Sequence, residues 1–167
     1  KFICFDVDFK DSNTAKWVVY KITSTLRAFG LSEYHISSSG GKGYHIEVFI
    51  EDYISVKIAE QFHKLILYAS GLLDDDSKLD GQVEFRPTNS QGVKIPLGLH
   101  QKTGNYCGFC LEYEGLRLMD EDEEIDYFLN IQTIKRQKIL DILKISKDYF
   151  DELEDRLKQK KQNTTLE

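Results

Sequence analysis

Phe2-Ile3-Cys4-Phe5-Asp6-Val7-Asp8 is an apolar run that ends in two carboxylates one residue apart. It reads as a buried strand over residues 2–8, and the two-residue period of a strand puts Asp6 and Asp8 on one face. Burying such a strand leaves its terminal carboxylates in mutual repulsion unless a cation lies between them. An Asp-x-Asp at a strand end equally suits a cap or turn ahead of the next helix, and on the motif alone the two roles stand level.

Residues 12–29 place Val18, Ile22, Leu26 and Phe29 at helical spacing, with Ser12 and Asn13 as capping candidates and Gly30 beyond the end. A strand is expected near 33–38. After a glycine-rich turn, Tyr44 to Glu51 alternates, with Tyr44, Ile46, Val48 and Ile50 on one face and His45, Glu47, Phe49 and Glu51 on the other. A second helix is expected near 55–72 on Ile58, Phe62, Leu65 and Ala69, stopping by Gly71. Strands are expected near 82–86, 92–97, 106–113 and 115–119.

From about 121 the period turns helical, with Ile125, Phe128, Leu129, Ile134, Ile139, Leu140, Ile142, Leu143 and Phe150 as packing residues. Gln159 to Glu167 is polar and expected to fray. This order predicts an α+β fold on a mixed sheet with flanking helices. The expected organisation is a core domain over 1–119, a helical C-terminal extension over 120–160, and a disordered tail over 161–167.

The chain has 167 residues, 41% of them hydrophobic, enough for one core. No run is long enough to span a membrane, nothing resembles a signal peptide, and Cys4, Cys107 and Cys110 do not make a disulfide framework. A cytoplasmic location is expected. Because the first residues lack an initiator methionine and open in a core strand, the chain is expected to be a fragment of a longer protein. Residues 1–119 carry 13 Lys+Arg against 15 Asp+Glu, and residues 120–167 carry 9 against 13, so most of the net −6 sits in the tail. A module gripping nucleic acid through phosphate contacts alone would be basic; this one would need metal and a few placed cations.

Ser39-Gly40-Gly41-Lys42-Gly43-Tyr44-His45 is the second informative run. It could be a flexible hairpin. Its glycines would also let the backbone approach a ligand, while Lys42 and His45 add donors for phosphate oxygens. The spacing is not that of a Walker loop.

Asp6-x-Asp8, Ser39 to His45, Val83-Glu84-Phe85-Arg86-Pro87 and Val93-Lys94-Ile95-Pro96-Leu97-Gly98-Leu99-His100 together resemble the archaeo-eukaryotic primase superfamily. The resemblance is strongest to the primase-polymerase domains of mobile elements and of conflict or CRISPR-associated systems, and it covers roughly residues 1–113. It implies an RRM-like sheet and two Mg²⁺ or Mn²⁺ ions held by Asp6, Asp8 and a third carboxylate, Glu84, with Asp80 as the fallback. It further implies that Ser39, Gly41, Lys42, His45, Lys94 and His100 bind the incoming nucleotide, the assignment being looser for His100, as it is for Arg86 and Lys102. The implied reaction is transfer of an NTP or dNTP to a primer 3′-hydroxyl or an initiating nucleotide on a DNA template. Relatives carry additional chain before the first motif, and a helicase or other replication domain is a partner expected in a longer protein.

Cys107-Gly-Phe-Cys110 with His100 invites a zinc reading, but a fourth ligand is missing and structural zinc is not expected. His63 reads as a surface or packing residue, and His35 as a neighbour of the glycine turn. Asp74-Asp75-Asp76 reads as a solvated loop and Asp120 to Glu124 as a helix start. The competing expectation is a primase-like nucleic-acid-binding or replication-initiation module without catalysis. A metal-dependent nuclease or a relaxase-like nicking enzyme would favour clustered histidines or a catalytic tyrosine, and neither stands out.

Overall fold

A computed structural model describes residues 2–73 and 79–164. Strand β1 (Phe2–Phe9) leads into helix α1 (Ser12–Ala28), followed by β2 (His35–Ser38), β3 (Tyr44–Phe49), α2 (Val56–Ala69) and β4 (Gly81–Arg86). These strands form one sheet in the order β2-β3-β1-β4. All three pairings are antiparallel, so the sheet is not mixed as expected. The β2–β3 hairpin inserts β3 between β1 and β2, and β4 returns on the far side of β1. Strands that run the same way are therefore never neighbours, which is the split β-α-β arrangement.

β1 is central and its alternation decides the two faces. Ile3, Phe5, Val7 and Phe9 lie with Ile36, Ile46 and Val48 under α1 and α2, against Val18, Ile22, Leu26, Phe62, Leu65 and Ile66. Each such buried side chain contributes about 1.5–3 kcal/mol of transfer free energy. His63 belongs to this layer, stacked on Phe5 at 4.5 Å and edge-on to Phe85 at 5.4 Å. Burial holds its imidazole neutral, pushing its pKa down to about 3. On the other face stand Cys4, Asp6 and Asp8 of β1, Ser37 of β2, His45 and Glu47 of β3, and Glu84 and Arg86 of β4.

α1 is capped by Asp11 rather than by Ser12 or Asn13. The Asp11 carboxylate accepts from the Thr14 amide at 2.7 Å and the Thr14 hydroxyl at 2.8 Å.

No strand forms over 92–97. Pro96 cannot donate to a ladder and Leu97 takes a left-handed φ of 71°, so pairing starts only at β5 (Gly98–Leu99), against β6 (Tyr106–Cys107). The strand expected over 106–113 breaks at Gly108, whose carbonyl accepts from Ser38. What remains is β6, β7 (Cys110–Leu111) and a 3-10 turn at Glu112–Glu114. The strand expected over 115–119 shortens to β8 (Arg117–Leu118).

Three helices follow: α3 (Glu121–Leu129), α4 (Arg136–Ile145) and α5 (Lys147–Thr164). α3 starts at a capping box, with Asp120 and Glu123 exchanging hydrogen bonds, and its acidic first turn suits the helix dipole as expected. Its apolar residues do not pack. Ile125, Phe128 and Leu129 are 51%, 49% and 72% exposed. The helix makes its inward contacts through polar groups instead. The Glu124 carboxylate accepts from the Phe109 amide and the Tyr106 hydroxyl, and the Tyr127 hydroxyl meets Nδ1 of His35.

Ile134 is buried and exchanges backbone hydrogen bonds with Phe49 and Glu51, continuing the end of β3. Ile139, Ile142 and Leu153 are buried in α4 and α5, which pack on α2. Asp74 to Asp76, the side chain of Phe150 and residues 165–167 lie outside what the structure describes, while the backbone over 159–164 is helical. Among the described residues, no helix is long and apolar enough to cross a membrane.

Candidate active site

Strand register builds the centre of the polar face. Asp6 is paired with His45 on one side and Glu84 on the other, and Asp8 is paired with Gln82. His45 Nε2 lies 3.4 Å from Asp6 Oδ1, and Arg86 Nε lies 4.0 Å from Asp6 Oδ2. Glu84 is held by an ion pair with Arg86 and accepts from Gln82 Nε2 at 2.7 Å. Asp80 sits just before β4, where it pairs with Lys10 at 3.0 Å, so Glu84 and not Asp80 shares the Asp6 register.

The donor chemistry of Asp6 and Asp8 fits a hard divalent cation, since both offer carboxylate oxygens from one strand face and Asp6 is only half-buried. Glu84 completes an all-oxygen set only by exchanging Arg86 for the cation. Among the described residues, no three His, Cys, Asp or Glu side chains stand as a ready ligand cluster.

The glycine turn is a brace as well as a loop. Ser39 closes it, donating its amide to the Gly43 carbonyl at 3.1 Å while its hydroxyl accepts from the amides of Gly41 and Gly43. Gly40 has a φ of 76°, and a Cβ there would meet Cys107 Sγ and His100 Cβ, each at 2.6 Å. A Cβ at Gly43 would meet the Val7 carbonyl oxygen at 2.1 Å. The turn thus bridges two places, the end of β1 beside Asp8 and the loop that carries His100. Thr103 and Asn105 secure the second contact by donating to the Gly40 carbonyl at 2.7 and 3.0 Å. Gly41 and Lys42 are exposed at the tip.

Lys94, Leu99, His100, Gln101 and Lys102 line a cavity of about 390 Å³. Lys94 Nζ is buried there without a hydrogen-bond partner. A desolvated, unpaired ammonium is costly and is relieved by an anion. The predicted residues therefore fall into two groups, Asp6, Asp8, His45, Glu84 and Arg86 on the sheet, and Lys94, His100 and Lys102 in the cavity, joined by the turn with Ser39, Gly41 and Lys42.

Glu47 was not among the expected site residues. It is buried beside His45, accepts from the Ser37 hydroxyl at 2.7 Å, and leaves Oε2 unpaired. Burial pushes its pKa up to about 7. The available signal was its place on the same alternating face as His45. His35 is a structural joint, bonded to Tyr127 and the Gln132 carbonyl. Cys4, Cys107 and Cys110 are free and buried.

No family model matches the chain, and no curated protein matches it.

Proposed function

We propose that this chain is the catalytic domain of a primase-polymerase, joining an NTP or dNTP to a primer 3′-hydroxyl or to an initiating nucleotide on a DNA template. The observation that supports it most is Asp6 in register between His45 and Glu84, with a glycine turn pressed against the strand beside Asp8. The RRM-like primase architecture belongs to the same proposal and is supported by the β2-β3-β1-β4 order with both helices over one face.

Asp6, Asp8 and Glu84 would hold Mg²⁺ or Mn²⁺, which would activate the 3′-hydroxyl and neutralise the triphosphate. Lys42 at the turn and Lys94 and His100 in the cavity orient phosphates by charge and hydrogen bonding. His45, held between Asp6 and Glu47, presents its imidazole beside the carboxylates, where it can donate to a phosphate oxygen. Arg86 neutralises Glu84 until a cation takes its place.

That same Arg86–Glu84 pair supports a second reading, a primase-like module that binds nucleic acid without catalysis. Primer extension and de novo priming with Mg²⁺ or Mn²⁺ separate the two. The wild type should form product, and Asp6→Ala/Asp8→Ala should lose at least about a hundredfold in rate, as expected when the charge-stabilising core of a site is removed. DNA binding without incorporation would favour the second reading, and equal activity in the double variant would sink the assignment of the aspartates.

A further inference from the structure

α1 carries Lys16, Lys21 and Arg27 and no carboxylate, in a chain whose net charge is −6. Its inner face is complete, with Ala15, Val18, Val19, Ile22, Thr23 and Leu26 buried. Its outer stripe holds Trp17, Tyr20, Lys21 and Ser24, positions one helical turn apart. Trp17 is 48% exposed and Tyr20 37% exposed, so these rings are not needed to close the core. Lys21 Nζ lies 5.5 Å from the Trp17 ring centroid.

The stripe continues onto a second element. The Tyr20 hydroxyl donates to the Glu112 carbonyl at 3.2 Å, which brings the 3-10 turn alongside α1, and the next residue, Tyr113, is 85% exposed. Nearby carboxylates are already engaged. Glu112 is taken by Arg27 at 2.7 Å and by Tyr34 at 2.6 Å, and Glu114 by Arg117 at 2.8 Å. What this face offers a ligand is therefore three aromatic rings with Lys16 and Lys21 beside them.

Aromatic rings stack on nucleobases whatever their sequence, and lysines pair with the phosphates between them. A duplex hides its base faces, so only an unpaired strand can use both features. We infer that the outer face of α1, with Tyr113, binds single-stranded nucleic acid by stacking bases on Trp17, Tyr20 and Tyr113 while Lys16 and Lys21 meet the backbone. This inference does not rest on the catalytic reading, because α1 packs on the sheet face opposite Asp6 and Asp8.

Trp17 is the chain's single tryptophan, so its emission reports this face directly. Titration with an oligo(dT) of about 15 nucleotides, a length within single-strand site sizes, should quench it saturably, and less so as salt is raised. Tyr20→Ala/Tyr113→Ala and Lys21→Glu should each weaken binding by about tenfold or more. Trp17→Ala, followed by anisotropy of a labelled oligonucleotide, should do the same. Absence of quenching, wild-type affinity in Trp17→Ala and Lys21→Glu, or equal affinity for duplex would each overturn the inference. Quenching by a protein that incorporates no nucleotide would support it and remove the catalytic reading alone.

Discussion

Asp6 lies on a strand that is hydrogen-bonded on both sides, so its neighbours His45 and Glu84 are fixed by ladder register rather than by side-chain choice. Glu47, two residues beyond His45, is a buried acid whose charge the fold disfavours. Its folded pKa of about 7 exceeds the ordinary 4.5, so the folded state holds more protons between those values. Its contribution to stability is full below about pH 4.5 and is lost as pH rises through about 7. His63, with its depressed pKa, contributes in the opposite direction, and comparison within one background removes it. Thermal melts of wild type and Glu47→Gln should therefore diverge, with wild type losing stability relative to the variant as pH rises through 7. Parallel pH profiles would contradict the buried-acid assignment. Period-two alternation made Asp6, Asp8 and His45 legible, because it needs only local sequence. The burial of Glu47 and Lys94 was not legible, because it depends on segments far away in the chain.

The glycine turn shows which glycines the fold requires. Gly43→Ala would drive a methyl into the Val7 carbonyl, whereas a Cβ at Gly41 meets only Ser39 Oγ, at 3.7 Å. Gly43→Ala should lower the melting temperature and any nucleotide binding together, while Gly41→Ala should stay within about 0.5 kcal/mol of wild type. Equal melting of the two variants would mean that the turn is not seated against β1. The first four strands and two helices were readable from the sequence, most clearly β1, β3, α1 and α2, whose apolar residues recur at strand or helix spacing. The segment from 92 to 119 was not. Its strands are two residues long and are set by Pro96, Leu97 and Gly108 rather than by alternation. α3 misled for a different reason, since its apolar residues predict packing while its inward contacts are made by Glu124 and Tyr127.

For the whole molecule, the chain after residue 120 is tied to the sheet by polar contacts before α4 and α5 pack. Glu124 is the main tie, accepting from the buried Phe109 amide at 2.7 Å and from the Tyr106 hydroxyl at 2.6 Å. Glu124→Ala leaves that amide without a partner and should cost about 1–3 kcal/mol in urea denaturation, the penalty of an unsatisfied buried donor. A loss below about 0.5 kcal/mol, typical of surface changes, would show that α3 is not anchored there. The two faces of the sheet thus differ: one is closed by α1 and α2, and the other leaves Asp6, Asp8 and Glu84 in reach of solvent beside a braced turn and a cavity holding an unpaired ammonium.

Asp6, Asp8 and Glu84 are proposed to hold divalent cations together once Arg86 yields Glu84. Electron paramagnetic resonance titration with Mn²⁺, with and without a nucleoside triphosphate, measures this most directly. Saturable Mn²⁺ binding that nucleotide strengthens is expected, lost in Asp6→Asn/Asp8→Asn and weakened in Glu84→Gln. Unchanged Mn²⁺ binding in Asp6→Asn/Asp8→Asn would contradict it.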